Sequence, residues 1–145
     1  MRIVEFTRAD PDCWSLSGDR DRWGIDVCLV TEGAIEFSAP SGDTRVSLYL
    51  LEFLVEMKAK LLSNLGAKRF SAKIPLQFSG DGIQLDRDID LVRIRRRQIV
   101  IYESDWNEFI QLFYEYEADV CRAMKEAFPK LSAAAEFQLL FGVTG

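Results

Sequence analysis

Arg93-Ile94-Arg95-Arg96-Arg97 gathers four of the chain's 18 basic residues into one short run. Guanidinium groups are the side chains best shaped to hold phosphate or carboxylate through paired hydrogen bonds. In a regular strand Arg93, Arg95 and Arg97 share one parity, so their side chains would form a row on one face. The competing reading is a solvated strand face whose charge discourages edge-to-edge pairing. Asp86, Asp88 and Asp90 lie close enough in sequence to neutralise that row. A charge run is more often a solvated face than a site. Binding of a nucleic acid or a phosphate ligand through Arg93, Arg95, Arg96 and Arg97 is therefore the second reading of function, not the first.

The opposite charge collects downstream. Between Ser104 and Phe128 stand Asp105, Glu108, Glu115, Glu117, Asp119 and Glu126, against Arg122 and Lys125. A helix of this bias is either the wet side of an amphipathic element or a surface that steers a basic partner. Tyr114 and Tyr116 are interleaved with the acids, and tyrosine is common at interaction hot spots. Glu115, Tyr116 and Asp119 are accordingly the candidate partner-binding residues, expected on the exposed face.

Other chemistries are excluded by residues that are missing. The chain has no histidine, which removes Ser-His and Cys-His nucleophile activation, His-containing zinc sites and the commonest general base. Asp81, Asp86, Asp88 and Asp90 offer paired carboxylates for acid–base work. Counted from Asp86, the sixth and twelfth positions are Leu91 and Arg97, where a calcium loop needs glycine and glutamate. Ser79-Gly80-Asp81-Gly82 lacks the G-K-[ST] of a phosphate loop and the spacing of a dinucleotide fingerprint. No catalytic residue, metal or cofactor is assigned, and the chain is expected not to be an enzyme. Cys13, Cys28 and Cys121 form no C-x-x-C and read as reduced, mostly buried thiols.

The elements that must carry these residues follow from periodicity. Arg2 to Arg8 reads as an opening strand, and Asp10-Pro11-Asp12 as a turn. Trp23, Ile25, Val27 and Leu29 alternate, and Ala34 to Phe37 returns after an expected tight turn at Glu32-Gly33, giving a hairpin. From about Val46 the period changes to Leu48, Leu51, Val55, Leu62, a helix capped by Ser47 or Thr44 and closed near Gly66. Phe70 to Phe78 alternates again, with Pro75 marking an edge or a bulge. Ile83 and Leu85 open a further strand. Leu91 to Arg95 and Gln98 to Tyr102 form two more, joined near the arginines. Asp105 and Glu108 have capping-box spacing ahead of a long helix bearing Trp106, Phe109, Ile110, Phe113, Val120 and Met124, stopped by Pro129. Leu131 to Phe141 reads as a short docking helix.

Strands, helix, strands, helix is not the alternation of a parallel βαβ fold. The expected architecture is α+β: an antiparallel sheet of about six strands with two long helices packed on one face. Leu51, Leu54, Phe109, Phe113 and Val120 are the expected core. A length of 145 residues fits one domain, 1–145, with one core. The 48% hydrophobic and 28% charged content is globular rather than disordered. The N-terminus turns polar too soon for a signal peptide, and no run approaches the ~18 apolar residues of a membrane span. A cytoplasmic protein is expected, and a net charge of −5 argues against non-specific attraction to nucleic acid or membrane.

Several of these features occur together: the Ile25-Asp26-Val27-Cys28-Leu29-Val30 hairpin, Leu48-Tyr49-Leu50-Leu51-Glu52-Phe53, the Arg-rich hairpin and the Trp106 to Phe128 helix. In that combination the chain resembles small bacterial proteins of the toxin-immunity type. The resemblance implies a compact, non-catalytic protein that binds one cognate toxin, and the acidic helix makes a basic toxin the expected one. It carries no functional residue across to this sequence.

Overall fold

The structure, a computed structural model, describes residues 1–6, 32–76 and 81–127. The expected turn at Asp10-Pro11-Asp12, the strand Trp23 to Val30, Cys13, Cys28, the helix-stopping Pro129 and the docking helix Leu131 to Phe141 lie outside the described residues.

The elements in chain order are β1 (Arg2–Phe6), β2 (Glu32–Ala39), β3 (Gly42–Tyr49), α1 (Leu50–Ser63), β4 (Arg69–Pro75), β5 (Gly82–Asp88), β6 (Leu91–Arg96), β7 (Ile99–Asp105) and α2 (Trp106–Ala127). The fold is α+β, as expected, but the strands form two antiparallel sheets rather than one. One has the order β1-β2-β3 and the other β4-β5-β6-β7. The two sheets approach each other most closely at β2 and β7.

Two sequence expectations are corrected here. Glu32-Gly33 is not a turn but the start of β2, where Gly33 pairs with Leu48. The hairpin turns instead at Pro40-Ser41, and Gly42 follows with φ 128°, a backbone state that favours glycine. Val46 and Leu48 are not helical but belong to β3, both buried and two apart on one face. Leu48 fits both a period of 2 and a period of 3.6, which is why the helix read long. Ser47 and Thr44 consequently cap nothing. Tyr49 stands at the N-cap of α1 without a side-chain hydrogen bond.

The second half follows its sequence signals closely. Pro75 ends β4, an edge strand, where a missing N–H costs no ladder bond. The Glu108 N–H donates to Asp105 Oδ1 at 2.8 Å, so Asp105 caps α2. Leu51, Leu54, Phe109, Phe113 and Val120 are all buried.

Both sheets and both helices contribute to one hydrophobic cluster. α1 packs against β4, β2 and β3, and α2 against β7, β6 and β1. The helices meet at Tyr116, whose ring stands edge-on to Phe53 with centroids 5.4 Å apart. Its hydroxyl donates to the Leu50 carbonyl at 2.7 Å. Burying such a ring contributes about 2–3 kcal/mol, and the hydrogen bond removes the penalty of enclosing a phenol. Burial pushes the Tyr116 phenol well above its ordinary pKa. Beside it, Lys58 Nζ of α1 meets the buried Glu117 carboxylate of α2 at 2.8 Å.

Candidate functional site

Two surfaces carry the residues singled out by sequence, and they lie on opposite sides of the β4–β7 sheet. Val92 and Ile94 of β6 are buried toward the helices. Arg93 and Arg95 alternate with them and so face away.

On the helix side, Phe109, Phe113, Tyr116, Glu117 and Val120 turn inward. Gln111, Tyr114, Glu115, Ala118, Asp119 and Arg122 share the outer stripe, and all are exposed. Glu115 and Asp119 therefore stand where the sequence placed them, but Tyr116 does not. It is 2% exposed and welds α2 to α1, because it falls on the stripe of Phe109 and Phe113 rather than that of Glu115. The exposed aromatic is Tyr114, at 62%. Asp119 pairs with Arg122 at 2.8 Å, and Glu115 accepts a long 3.5 Å contact from Gln111. Asp105, Glu108 and Glu126 extend the acidic surface along the helix.

On the sheet side, the register builds cross-strand rows. Ser71, Asp86, Arg93 and Glu103 stand opposite one another across β4, β5, β6 and β7. This row neutralises itself, with Arg93 Nε meeting Glu103 at 2.8 Å. Asp86 accepts hydrogen bonds from Ser71 at 2.6 Å and Gln84 at 3.0 Å. It also pairs with Arg95 at 2.7 Å. Burial tends to raise the Asp86 carboxyl, but those hydrogen bonds and the Arg95 charge outweigh it and hold the pKa below the ordinary value.

The next row is Lys73, Gln84 and Arg95, directly opposite one another across β4, β5 and β6. It contains no carboxylate. A groove of about 600 Å³ runs over it, extended by Pro75, Gly82, Arg97 and Gln98. At Gly82 the β4 and β5 backbones approach closely, since a Cβ there would lie 2.9 Å from the Ile74 carbonyl oxygen.

The expected row Arg93, Arg95, Arg97 holds only in part. Arg93 and Arg95 keep one parity along β6, but β6 ends at Arg96 and Arg97 belongs to the following turn, so the row stops at Arg95. Arg95 and Arg97 line the groove, whereas Arg93 and Arg96 do not. Arg97 meets Asp81 at 2.8 Å and Arg96 lies 3.6 Å from the same oxygen. Arg97 and Gln98 form the β6–β7 turn with φ 52° and 68°. A two-residue hairpin turn of this kind ordinarily uses Asn-Gly. Two larger side chains there cost about 1–3 kcal/mol each in backbone strain.

Lys73, Gln84 and Gln98 were not singled out from the sequence, and Tyr114 was noted among the acids but not placed with the candidate residues. Lys73 and Gln84 gave a signal only through strand register, which periodicity alone does not supply. Among the described residues no group of His, Cys, Asp and Glu is placed to hold a metal ion, and no helix is long and apolar enough to cross a membrane. Cys121 is a free, half-buried thiol whose pKa is raised by burial and by the nearby Glu117 charge. No family model matches the chain, nor does any curated protein or solved structure match it significantly.

Proposed function

We propose that this chain is a non-enzymatic protein-binding module that takes a basic partner on the exposed face of α2. The observation that carries the reading is the outer stripe of that helix. Tyr114 stands exposed beside Glu115, with Asp119 one turn on. The summed field of the surrounding carboxylates steers a cationic surface toward the helix, and a few desolvated contacts then hold it. Tyr114 takes the anchoring part first assigned to Tyr116, since it combines apolar area with a hydrogen-bonding tip at low entropy cost.

The finer proposal is that the partner is a basic toxin and the chain its cytoplasmic immunity protein. It is supported by the resemblance and by the acidity of the helix. Charge reversal tests the reading. Glu115→Lys with Asp119→Lys should slow association and weaken affinity, while circular dichroism shows an unchanged fold. A double variant that captures the partner as well as the wild type does would place the interface elsewhere.

A further inference from the structure

We infer that the groove over Lys73, Gln84 and Arg95 is a binding site for a discrete phosphate group, such as that of a phosphate ester. The site is independent of the α2 face and lies on the far side of the sheet from it. Four features converge there.

The first is the row itself. Lys73, Gln84 and Arg95 are cross-strand neighbours on three adjacent strands, spaced by the ~4.8 Å of a sheet. They bring an ammonium, a carboxamide and a guanidinium to one floor. The second is charge. Asp86 reaches Arg95 from the neighbouring row and Asp81 pairs with Arg97, but among the described residues no carboxylate pairs with Lys73. The groove keeps a net positive lining inside an acidic protein. The third is the guanidinium on that floor: the Arg95 Nε is buried and has no hydrogen-bond partner. Such orphans are uncommon in folded proteins and mark sites where something other than stability is served.

The fourth is the turn. Arg97 and Gln98 hold left-handed backbone where glycine would sit without strain, and both side chains border the groove. The strain places a second guanidinium and a second carboxamide at the groove's end.

Donors arriving from several directions suit a tetrahedral phosphate better than a planar carboxylate, which one guanidinium fork saturates. The volume, about 600 Å³, is that of a small-ligand site. Asp86, Arg93 and Glu103 neutralise the adjoining row, so the cationic surface is too short to follow a long polyanion. The ligand chemistry is therefore one or two phosphates, supplied either by a small phosphate ester or by the end of a nucleic-acid strand.

Amide chemical shifts of the full chain, titrated separately with inorganic pyrophosphate and with single-stranded oligothymidylate, test the site. Pyrophosphate should give saturable shifts confined to Lys73, Gln84, Arg95 and Gln98. Lys73→Gln, at an exposed position, should weaken binding about ten-fold, the loss of one charge-assisted contact. Gln98→Gly should raise the Tm and still weaken binding. The logarithm of affinity should fall against the logarithm of salt with a slope of about 1–2. Absence of saturable shifts, or unchanged affinity in either variant, would overturn the site. Oligothymidylate binding more tightly than pyrophosphate, with a much steeper salt slope, would overturn the discrete phosphate in favour of a polynucleotide track.

Discussion

The outer face of α2 and the outer face of the β4–β7 sheet both carry dense charge, but they hold it differently. On the sheet, cations and anions sit on neighbouring strands within the reach of cross-strand contacts, and Arg93, Arg95 and Arg97 each meet a carboxylate at 2.7–2.8 Å. On the outer face of the helix, successive acids share one stripe, and among the described residues only Asp119 of that stripe has a short cationic partner, Arg122. A sheet face with balanced rows cancels its own field beyond a short distance, so it recognises only what enters the groove. A helix face with unbalanced acids projects its field into solvent and acts before contact. Charge thus supports short-range selection on one side and long-range steering on the other.

The comparison is sharpened most by Tyr116, which separates structure from recognition within one helix. Tyr116→Ala should cost about 3–5 kcal/mol in urea unfolding, since it leaves a cavity between the helices. Tyr116→Phe should cost about 1 kcal/mol by leaving the Leu50 carbonyl without its donor. Tyr114→Ala should change stability by no more than about 0.5 kcal/mol yet weaken partner binding. Equal stability losses at Tyr114 and Tyr116 would remove the division between core stripe and outer stripe.

The pH dependence of stability follows from the same two regions. The Tyr116 phenol has a folded pKa well above 10.0, so the folded state keeps a proton that the unfolded chain gives up. Its contribution is complete below about pH 10 and is lost as pH rises beyond that value. Tyr116→Phe should flatten the alkaline limb of a stability profile. Asp86 behaves in the opposite sense. Its pKa is depressed from 3.8, so its contribution is present above about pH 4 and is lost as pH falls through the depressed value. Asp86→Asn should flatten the acid limb, and an unchanged limb would show that the Ser71, Gln84 and Arg95 contacts do not hold the carboxylate.

The smallest effect is expected at Arg93. Its pair with Glu103 is solvent-accessible, with the arginine side chain 47% exposed. Arg93→Ala should therefore cost about 0–1 kcal/mol. Because Arg93 stands outside the groove, the variant should bind pyrophosphate as the wild type does. Loss of pyrophosphate binding there would shift the site one row along the sheet.

The readable parts of this molecule are those where one local pattern has one structural meaning. The Trp106 helix has a capping aspartate, a long 3.6-residue stripe and a clear start, and Phe109, Phe113 and Val120 are buried as the stripe requires. Val46 to Leu51 was ambiguous, because Leu48 serves both a strand alternation and a helical stripe. Only the pairing of β2 with β3 decides between them. The two-sheet division was not readable at all, since it depends on which strands find each other across the chain. The candidate sites divide in the same way. The exposure of Glu115 and Asp119 was legible because helix periodicity fixes it locally. Tyr116 was misplaced by one helical step of about 100°, enough to move it from solvent to core. The Lys73–Gln84–Arg95 row required a register across three strands, and the turn at Arg97-Gln98 ended the row of arginines after Arg95.

The association rate of the chain with its captured partner, measured by stopped flow across a range of ionic strength, tests the central claim most directly. If the α2 face steers a basic partner, the wild-type rate falls steeply as salt rises. The Glu115→Lys, Asp119→Lys double variant should then associate slowly with little remaining salt dependence, while Lys73→Gln leaves the rate unchanged. A double variant that keeps the wild-type rate and salt dependence would contradict the assignment of recognition to this helix.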